Sequence, residues 1–133
     1  MPITFFAPYL FLPPGIRDIS FYEKAFGAEE LRRWNNEDGS LHVAELAIDG
    51  CLFHVHEDKP SAGRFHPQAI KGTTMQVGLF VKDVDAVMQQ AEKAGGTVLS
   101  QPETFDYGYR QGELRDPFGH VWLIQTKVDP VNR

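Results

Sequence analysis

The chain has 133 residues, of which 42% are hydrophobic and 23% are charged, and its formal net charge is −5. This composition is that of a globular protein, and the length suits one domain or two small modules that share a core. The 13 basic residues are scattered among 18 acidic ones, which argues against nucleic acid as a partner.

Cysteine usage and the apolar start of the chain bear on its location. Cys51 is the only cysteine, so an internal disulfide and a thiolate metal cluster are excluded and a cytoplasmic location is expected. We expect Cys51 itself to be a buried, small apolar residue. The apolar run at residues 1–12 has no basic leader and is too short to cross a bilayer, so no membrane partner is expected.

The first part of the chain predicts the element order β-α-β-β-β. Apolar patterning predicts strands at residues 5–12, 29–34, 41–48 and 51–58 and a helix at residues 16–26. The helix follows from the spacing of Ile19, Tyr22 and Phe26 and should end at Gly27. The dipeptide Asp49-Gly50 predicts a tight turn between the last two strands.

The second part predicts the same order again. A segment at residues 59–73 has two prolines and no periodicity, so it is predicted to be a linker. Strands are predicted at residues 75–81, 97–101, 109–115 and 120–126, with a helix between the first two that begins after Asp83 and ends at Gly95. The register that lays A-F-G-A-E-E-L (25–31) on K-A-G-G-T-V-L (93–99) also lays Glu45 on Glu113, which indicates an internal duplication.

The stretch C-L-F-H-V-H-E-D (51–58) places His54 and His56 on one face of its predicted strand, because residues two apart point the same way. Imidazole is the commonest transition-metal ligand and a frequent acid or base near neutral pH. The alternative is a polar strand edge without chemistry. His42, His66 and His120 are predicted to be surface or turn residues.

Several motifs support a family assignment. The residues P-Y-L (8–10), F-Y-E-K-A-F-G-A-E-E-L (21–31), V-K-D-V-D-A-V (81–87) and R-D-P-F-G-H-V-W (115–122) resemble the vicinal-oxygen-chelate superfamily, which holds glyoxalase I, bleomycin and fosfomycin resistance proteins and extradiol dioxygenases. F-Y-x-K-A-F-G-A together with R-D-P-F-G-H-x-W most resembles its PhnB-like branch. The resemblance covers residues 8–126.

The resemblance implies an α+β fold in which two tandem β-α-β-β-β modules form an open curved sheet, or cup, around a small ligand, with the helices packed on the outer face. The expected organisation is a single domain over residues 1–133, with module one at about 3–58, the linker at about 59–73 and module two at about 74–127. A homodimer is also implied, with the modules either side by side or exchanged between chains.

The resemblance also implies four metal positions, one on the first and one on the fourth strand of each module. Carried over by register, they fall on Ala7, His54, Gln76 and Leu123, and the offset from Ala7 to Gln76 equals the offset from His54 to Leu123. Ala7 and Leu123 offer no donor atom. The expected site is therefore incomplete, and the cofactor is either none or a divalent metal ion held by His54 and Gln76 with relocated carboxylates.

Alternation along the strands predicts which side chains share the cup with His54. Ligand-binding positions on the first and fourth strands of the two modules are Phe5, Ala7, Tyr9, Phe11, Leu52, His56, Gln76, Phe80, Leu123 and Gln125. Leu46 and Leu114 should face the core, which turns Glu45 and Glu113 toward the cup beside His54 as candidate catalytic groups. The loop at residues 104–110 is either a lid or a surface turn.

These residues leave several functions open. The first is metal-independent binding of a small aromatic or amphipathic molecule, in which His54 serves as a hydrogen-bond anchor or base. The second is a metal-dependent glyoxalase- or dioxygenase-type enzyme, a lyase or an oxidoreductase, that uses a rearranged site around His54 and Gln76. A third is a module that only dimerises and presents its surface to a partner.

Overall fold

Two similar halves make up the protein. The structure, a computed structural model, describes residues 4–128, so residues 1–3 and 129–133 of the predicted domain lie outside the described part. The first half contains β1 (Tyr9–Leu12), α1 (Phe21–Phe26), β2 (Glu29–Asn35), β3 (Leu41–Ile48) and β4 (Cys51–Glu57). After a connection with a 3-10 turn (Pro60–Ala62) and α2 (Pro67–Ile70), the second half contains β5 (Val77–Phe80), α3 (Val84–Lys93), β6 (Thr97–Phe105), β7 (Tyr109–Arg115) and β8 (Val121–Lys127).

Each half folds its strands into one four-stranded mixed sheet. The strand orders are β1-β4-β3-β2 and β5-β8-β7-β6, and in each sheet the first strand lies parallel to the last one while the other pairs are antiparallel. This confirms the predicted α+β fold of paired modules. None of the helices in residues 4–128 is long and apolar enough to cross a membrane.

The register of the two sheets reproduces the duplication. Tyr9 pairs with His54 in the first sheet and Gly78 pairs with Leu123 in the second, so Gly78 is the counterpart of Tyr9 and Leu123 that of His54, at one common offset along the chain. The irregularity in the β2–β3 ladder after Glu30 also has a counterpart in the β6–β7 ladder, after Val98. Irregularities of this kind re-aim side chains, so β2 and β6 change the direction of their side chains at equivalent positions.

Three element boundaries differ from the sequence prediction by four or five residues, and one of them is the end of β6, which lies at Phe105 and not at residue 101. Helix α1 begins at Phe21 and not at residue 16, because the carbonyl of Ile16 accepts the Leu41 amide at 2.7 Å and the carbonyl of Arg17 accepts the Arg33 guanidinium at 2.7 Å. Strand β1 begins at Tyr9 and not at residue 5, because Pro8 has no N–H to extend the ladder with β4.

Two other sequence predictions also need correction. Cys51 is exposed and not buried, because it is the first residue of β4 after the tight Asp49-Gly50 turn. The connection at residues 59–73, predicted to have no regular structure, contains two short helical turns. His66 Nδ1–H donates to Asp58 Oδ2 at 2.5 Å, which ties this connection back to the end of β4.

A single hydrophobic core joins the two halves. Helix α1 lies against α3, and the ring of Phe26 lies 4.7 Å from that of Trp122. Each sheet turns one side toward this core, where Val55 of β4 and Ile124 of β8 are completely buried. The predicted packing of this side under the helices is therefore confirmed, and the other side of each sheet is left to form the cup.

The carboxylate of Asp116 is the main polar group inside this core. It is 3% exposed and accepts hydrogen bonds from Tyr22 Oη at 2.7 Å, Trp122 Nε1 at 3.1 Å, and the backbone amides of Phe118 at 2.9 Å and His120 at 3.0 Å. Burial, followed by the charge of Asp116, raises the pKa of Tyr22 well above its usual value. The carboxylate therefore links α1 of the first half to the β7–β8 turn and β8 of the second half.

Replacing Asp116 should destabilise the whole fold. We expect Asp116→Ala to lower the free energy of unfolding by about 3 kcal/mol, because it leaves buried hydroxyl and indole donors without an acceptor. Urea denaturation followed by far-UV circular dichroism measures this. Asp106→Ala, at an exposed position in the β6–β7 turn, is the control and should change stability by less than about 0.5 kcal/mol. Equal effects of the two substitutions would contradict the role given to Asp116.

Candidate functional site

The solvent side of the first sheet carries two rows of side chains that cross all four strands. Paired residues on neighbouring strands share a side of the sheet, so the ladders define each row. One row is Arg32, Glu45, His54 and Tyr9, and the next is Trp34, Val43, His56 and Phe11. We call these eight residues the first face. Burial of Ala44 and Leu46 on the other side of β3 confirms that Glu45 points away from the core.

His54 is at the centre of the first face. Its ring stacks on Tyr9, with centroids 4.2 Å apart and planes within 7°, and its Nε2 lies 3.4 Å from Glu45 Oε2. The side chain is only 11% exposed, and its Nδ1 is buried without a hydrogen-bond partner. Because a carboxylate can only accept, this arrangement favours a proton on Nε2 and leaves the lone pair on Nδ1. The other oxygen of Glu45 lies 3.6 Å from Arg32 Nε.

A second group of polar side chains lies at one end of the first face. His42 Nδ1–H donates to Glu57 Oε1 at 2.9 Å, and Asn36 Nδ2 donates to Glu57 Oε2 at 3.0 Å. The hydrogen bond from His42 lowers the pKa of Glu57 below its usual value. His56 Nδ1–H donates to the backbone carbonyl of Glu57 at 2.5 Å, and its ring meets Phe11 edge to face at 5.9 Å.

The solvent side of the second sheet is built differently. Its residues are Gln76, Gly78, Phe80, Ser100, Tyr109, Gln111, Glu113, Leu123 and Gln125, which we call the second face. Glu113 accepts from Gln76 Nε2 at 2.7 Å and from Ser100 Oγ at 2.9 Å. Gln111 Nε2 donates to Gln125 Oε1 at 2.8 Å. Part of this face lines an open cleft of about 320 Å³.

Aromatic rings extend the second face at the β6–β7 hairpin. Tyr109 lies 5.9 Å from Phe80 and 5.7 Å from Tyr107, and Tyr107 in turn stacks on Phe105 at 5.3 Å. Lys127 Nζ lies 5.9 Å from the Phe80 ring. The hairpin turn holds Tyr107 exposed at the surface, so the segment predicted to be either a lid or a surface turn is a hairpin end beside the second face.

The structure groups the predicted site residues into two sets. Tyr9, His54 and Glu45 are in contact on the first face, and Gln76 and Glu113 are in contact on the second. Within residues 4–128, no hydrogen bond, ion pair or ring contact joins the two sets. In the same part of the chain, no group of three or more His, Cys, Asp and Glu side chains is placed to hold a metal ion.

Other predicted positions lie outside these contacts. Phe5 and Ala7 precede β1, and Phe5 and Leu52 line a separate apolar cleft of about 360 Å³ between the starts of β4 and β5. Sequence reasoning missed Arg32, Trp34, Ser100 and Gln111. Gln111 could have been found, because it lies two residues from Glu113 on the predicted β7 and therefore on the same side of the sheet. Arg32, Trp34 and Ser100 lie on β2 and β6, where the irregular ladders prevent simple alternation from assigning a side.

Comparison with known proteins agrees with this architecture. The family model of the Glyoxalase/Bleomycin resistance protein/Dioxygenase superfamily matches residues 17–124. An uncharacterized protein of Mycobacterium bovis is 39% identical over 129 residues, which are 95% of this chain and 85% of that protein.

Solved structures share the fold at lower identity. TioX from Micromonospora sp. ML1 superimposes with a TM-score of 0.68 at 24% identity, covering 94% of this chain and 97% of TioX. The fosfomycin resistance protein FosX from Listeria monocytogenes, a complex with Mn(II) and sulfate, superimposes with a TM-score of 0.69 at 17% identity, covering 97% of this chain and 96% of FosX.

Proposed function

The chain belongs to the Glyoxalase/Bleomycin resistance protein/Dioxygenase superfamily, and we propose that it binds a small aromatic or otherwise apolar molecule in a cup formed by its sheet faces. The observation that carries this proposal is the exposure of large aromatic side chains on those faces: Tyr9 and Phe80 are each 54% exposed, and Trp34 is 43% exposed. They lie beside a few polar groups, which is the usual composition of a small-molecule pocket.

The polar groups give such a ligand an orientation. Tyr9 and His54 form a two-ring stack, so a planar molecule would extend it and gain stacking energy beyond its buried area. Glu45 holds the imidazole through Nε2, and the Gln111–Gln125 pair offers amide groups on the second face. In the metal-free form of this proposal, His54 is the anchor or base, with Glu45 and Glu113 as the supporting carboxylates.

We expect planar aromatic compounds that bind to raise the melting temperature, because they bind only the folded state. Tyr9→Ala and Phe80→Ala should each weaken binding about fivefold, the effect of about 1 kcal/mol from one aromatic contact. Isothermal titration calorimetry measures the affinities. Leu99→Ala is the control, since Leu99 is an exposed apolar residue of β6 outside both faces. A screen of planar compounds without any stabilisation would contradict the proposal.

A second copy of the chain is proposed to complete the cup. Within residues 4–128, no hydrogen bond, ion pair or ring contact joins the first face to the second, whereas a pocket for a small molecule needs walls on more than one side. Bringing the first face of one copy toward the second face of another would give His54 the polar partners Gln76 and Glu113. Assignment to the PhnB-like branch and a cytoplasmic location also remain proposals, from the motifs and the single cysteine.

Sedimentation equilibrium tests the dimer directly. We expect a mass twice the 15.0 kDa of one chain, and a nitroxide attached to the exposed Cys51 should give one defined distance between chains. A single 15.0 kDa species at all concentrations would exclude the second copy and confine the binding site to one chain.

The second candidate function is metal-dependent catalysis of the glyoxalase or dioxygenase type. It is favoured by the 3.4 Å between His54 Nε2 and Glu45 Oε2, which is about the separation of two donors that bind one tetrahedral ion at about 2.1 Å each. Within residues 4–128 of one chain, no third His, Cys, Asp or Glu side chain is placed to join this pair, so the donor set fits an ion only if Gln76 or Glu113 of a second copy joins it. A bound ion would supply Lewis acidity toward neighbouring oxygens of a substrate.

Metal analysis of untagged protein distinguishes the two candidates. The metal-dependent function predicts about one equivalent of a divalent ion per chain after purification, and loss of most of it in His54→Ala and Glu45→Gln, because a missing ligand lowers affinity. Less than about a tenth of an equivalent after incubation with Mn²⁺ or Zn²⁺, or a bound equivalent that is unchanged by both His54→Ala and Glu45→Gln, would exclude this candidate.

A further inference from the structure

We propose that His42 and His56 form a binding site for a divalent first-row transition-metal ion, separate from the position of His54. The two imidazoles come from neighbouring strands, His42 from β3 and His56 from β4, and their ring centroids lie 4.9 Å apart. Both rings form a hydrogen bond with Glu57. His42 bonds to its carboxylate, and His56 bonds to its backbone carbonyl. The site is independent of the proposed ligand-binding function.

Hydrogen bonding decides which nitrogen each ring offers. A carboxylate oxygen and a carbonyl oxygen only accept, so the Nδ1 atoms of His42 and His56 both carry the proton that is donated to Glu57. In the neutral rings, each Nε2 therefore carries a free lone pair. Histidines that bind metal in proteins have this arrangement, in which the second ring nitrogen donates to a carboxylate or a backbone carbonyl. Asn36 in turn holds the other oxygen of Glu57.

The spacing of the rings suits coordination of one ion. With a metal–nitrogen distance of about 2.1 Å, the centre of each imidazole lies roughly 3.2 Å from the ion, and two rings at a tetrahedral angle have centres about 5 Å apart. The observed separation is 4.9 Å, with an angle of 62° between the planes. His42 is half exposed, so the ion can reach it from solvent.

Two neutral imidazoles favour Cu²⁺, Ni²⁺ and Zn²⁺ over Mg²⁺ or Ca²⁺, which prefer oxygen ligands. The remaining coordination positions would be filled by water or by an oxygen or nitrogen donor of a small molecule. Because His56 shares a row with Phe11, the ion would be bound at the rim of the first face.

Zn²⁺ added to untagged, full-length protein at pH 7.5 tests the site. We expect one equivalent to bind in isothermal titration calorimetry and to shift the Nε2 resonances of His42 and His56 in ¹⁵N nuclear magnetic resonance spectra. His42→Gln and His56→Gln should each weaken binding at least tenfold, and Glu57→Ala about tenfold, since it removes the acceptor that orients His42. His42 is exposed enough for His42→Gln to fold, and circular dichroism verifies this for each variant.

Two control variants separate this site from other imidazoles. His66→Gln and His54→Gln should bind Zn²⁺ like the unaltered protein, because neither ring contacts the His42–His56 pair. Unchanged affinity in both His42→Gln and His56→Gln, no bound Zn²⁺ at all, or loss of binding only in His54→Gln would overturn the proposal. The last result would instead support the metal-dependent function assigned to His54.

Discussion

The position of the two sheets depends on one buried carboxylate. Asp116 accepts hydrogen bonds from Tyr22 on α1 and from Trp122 on β8, and it also closes the β7–β8 turn through two backbone amides. A hydroxyl and an indole N–H in a dry core are each costly without an acceptor, so α1 cannot leave the second half without losing these bonds. Helix α1 is thereby held against Trp122 and α3, the core sides of both sheets are covered, and large side chains on the other sides remain exposed.

The first and second faces have the same strand register but different side chains. The parallel ladders β1–β4 and β5–β8 match at one common offset, and the irregularity of the second strand of each half recurs at the equivalent place. On this common register, Leu123 stands where the first half has His54, and Gly78 stands where it has Tyr9. Both faces carry a carboxylate and aromatic rings, but the first face adds imidazole and guanidinium groups, whereas the second face adds glutamine amides. The two halves therefore share one strand geometry and differ in the side chains, and hence in the chemical groups, that each face carries.

Sequence predicted the features that depend on periodicity and local motifs. Alternation on β3 and β7 placed Leu46 and Leu114 in the core, where both are buried, and the motif around Asp116 identified the fold. Sequence-based prediction was wrong where contacts between residues distant in the chain determine the structure. The start of α1 depends on Leu41 and Arg33, which donate to the backbone carbonyls of Ile16 and Arg17. These carbonyls therefore do not accept hydrogen bonds within the helix. Alternation also cannot place Arg32 beyond a ladder irregularity. The pattern of a single strand does not predict whether the first and second faces come together, because this depends on how the two halves or two chains pack.

His54 is not the residue that stability alone would select at its position. Leu123 shows that the same position in the same strand geometry accepts an apolar side chain, whereas the imidazole buries Nδ1 without a partner. A buried polar atom without a hydrogen bond costs about 1–3 kcal/mol. Glu45 lies close to Nε2, and Tyr9 stacks on the ring, so the neighbours fix the orientation of the imidazole but leave Nδ1 unsatisfied. Local rules that are broken without a compensating contact are expected at functional sites. The unsatisfied nitrogen therefore supports the proposal that His54 contacts the ligand, because a bound ligand or a second chain that brings a donor near Nδ1 would recover this cost.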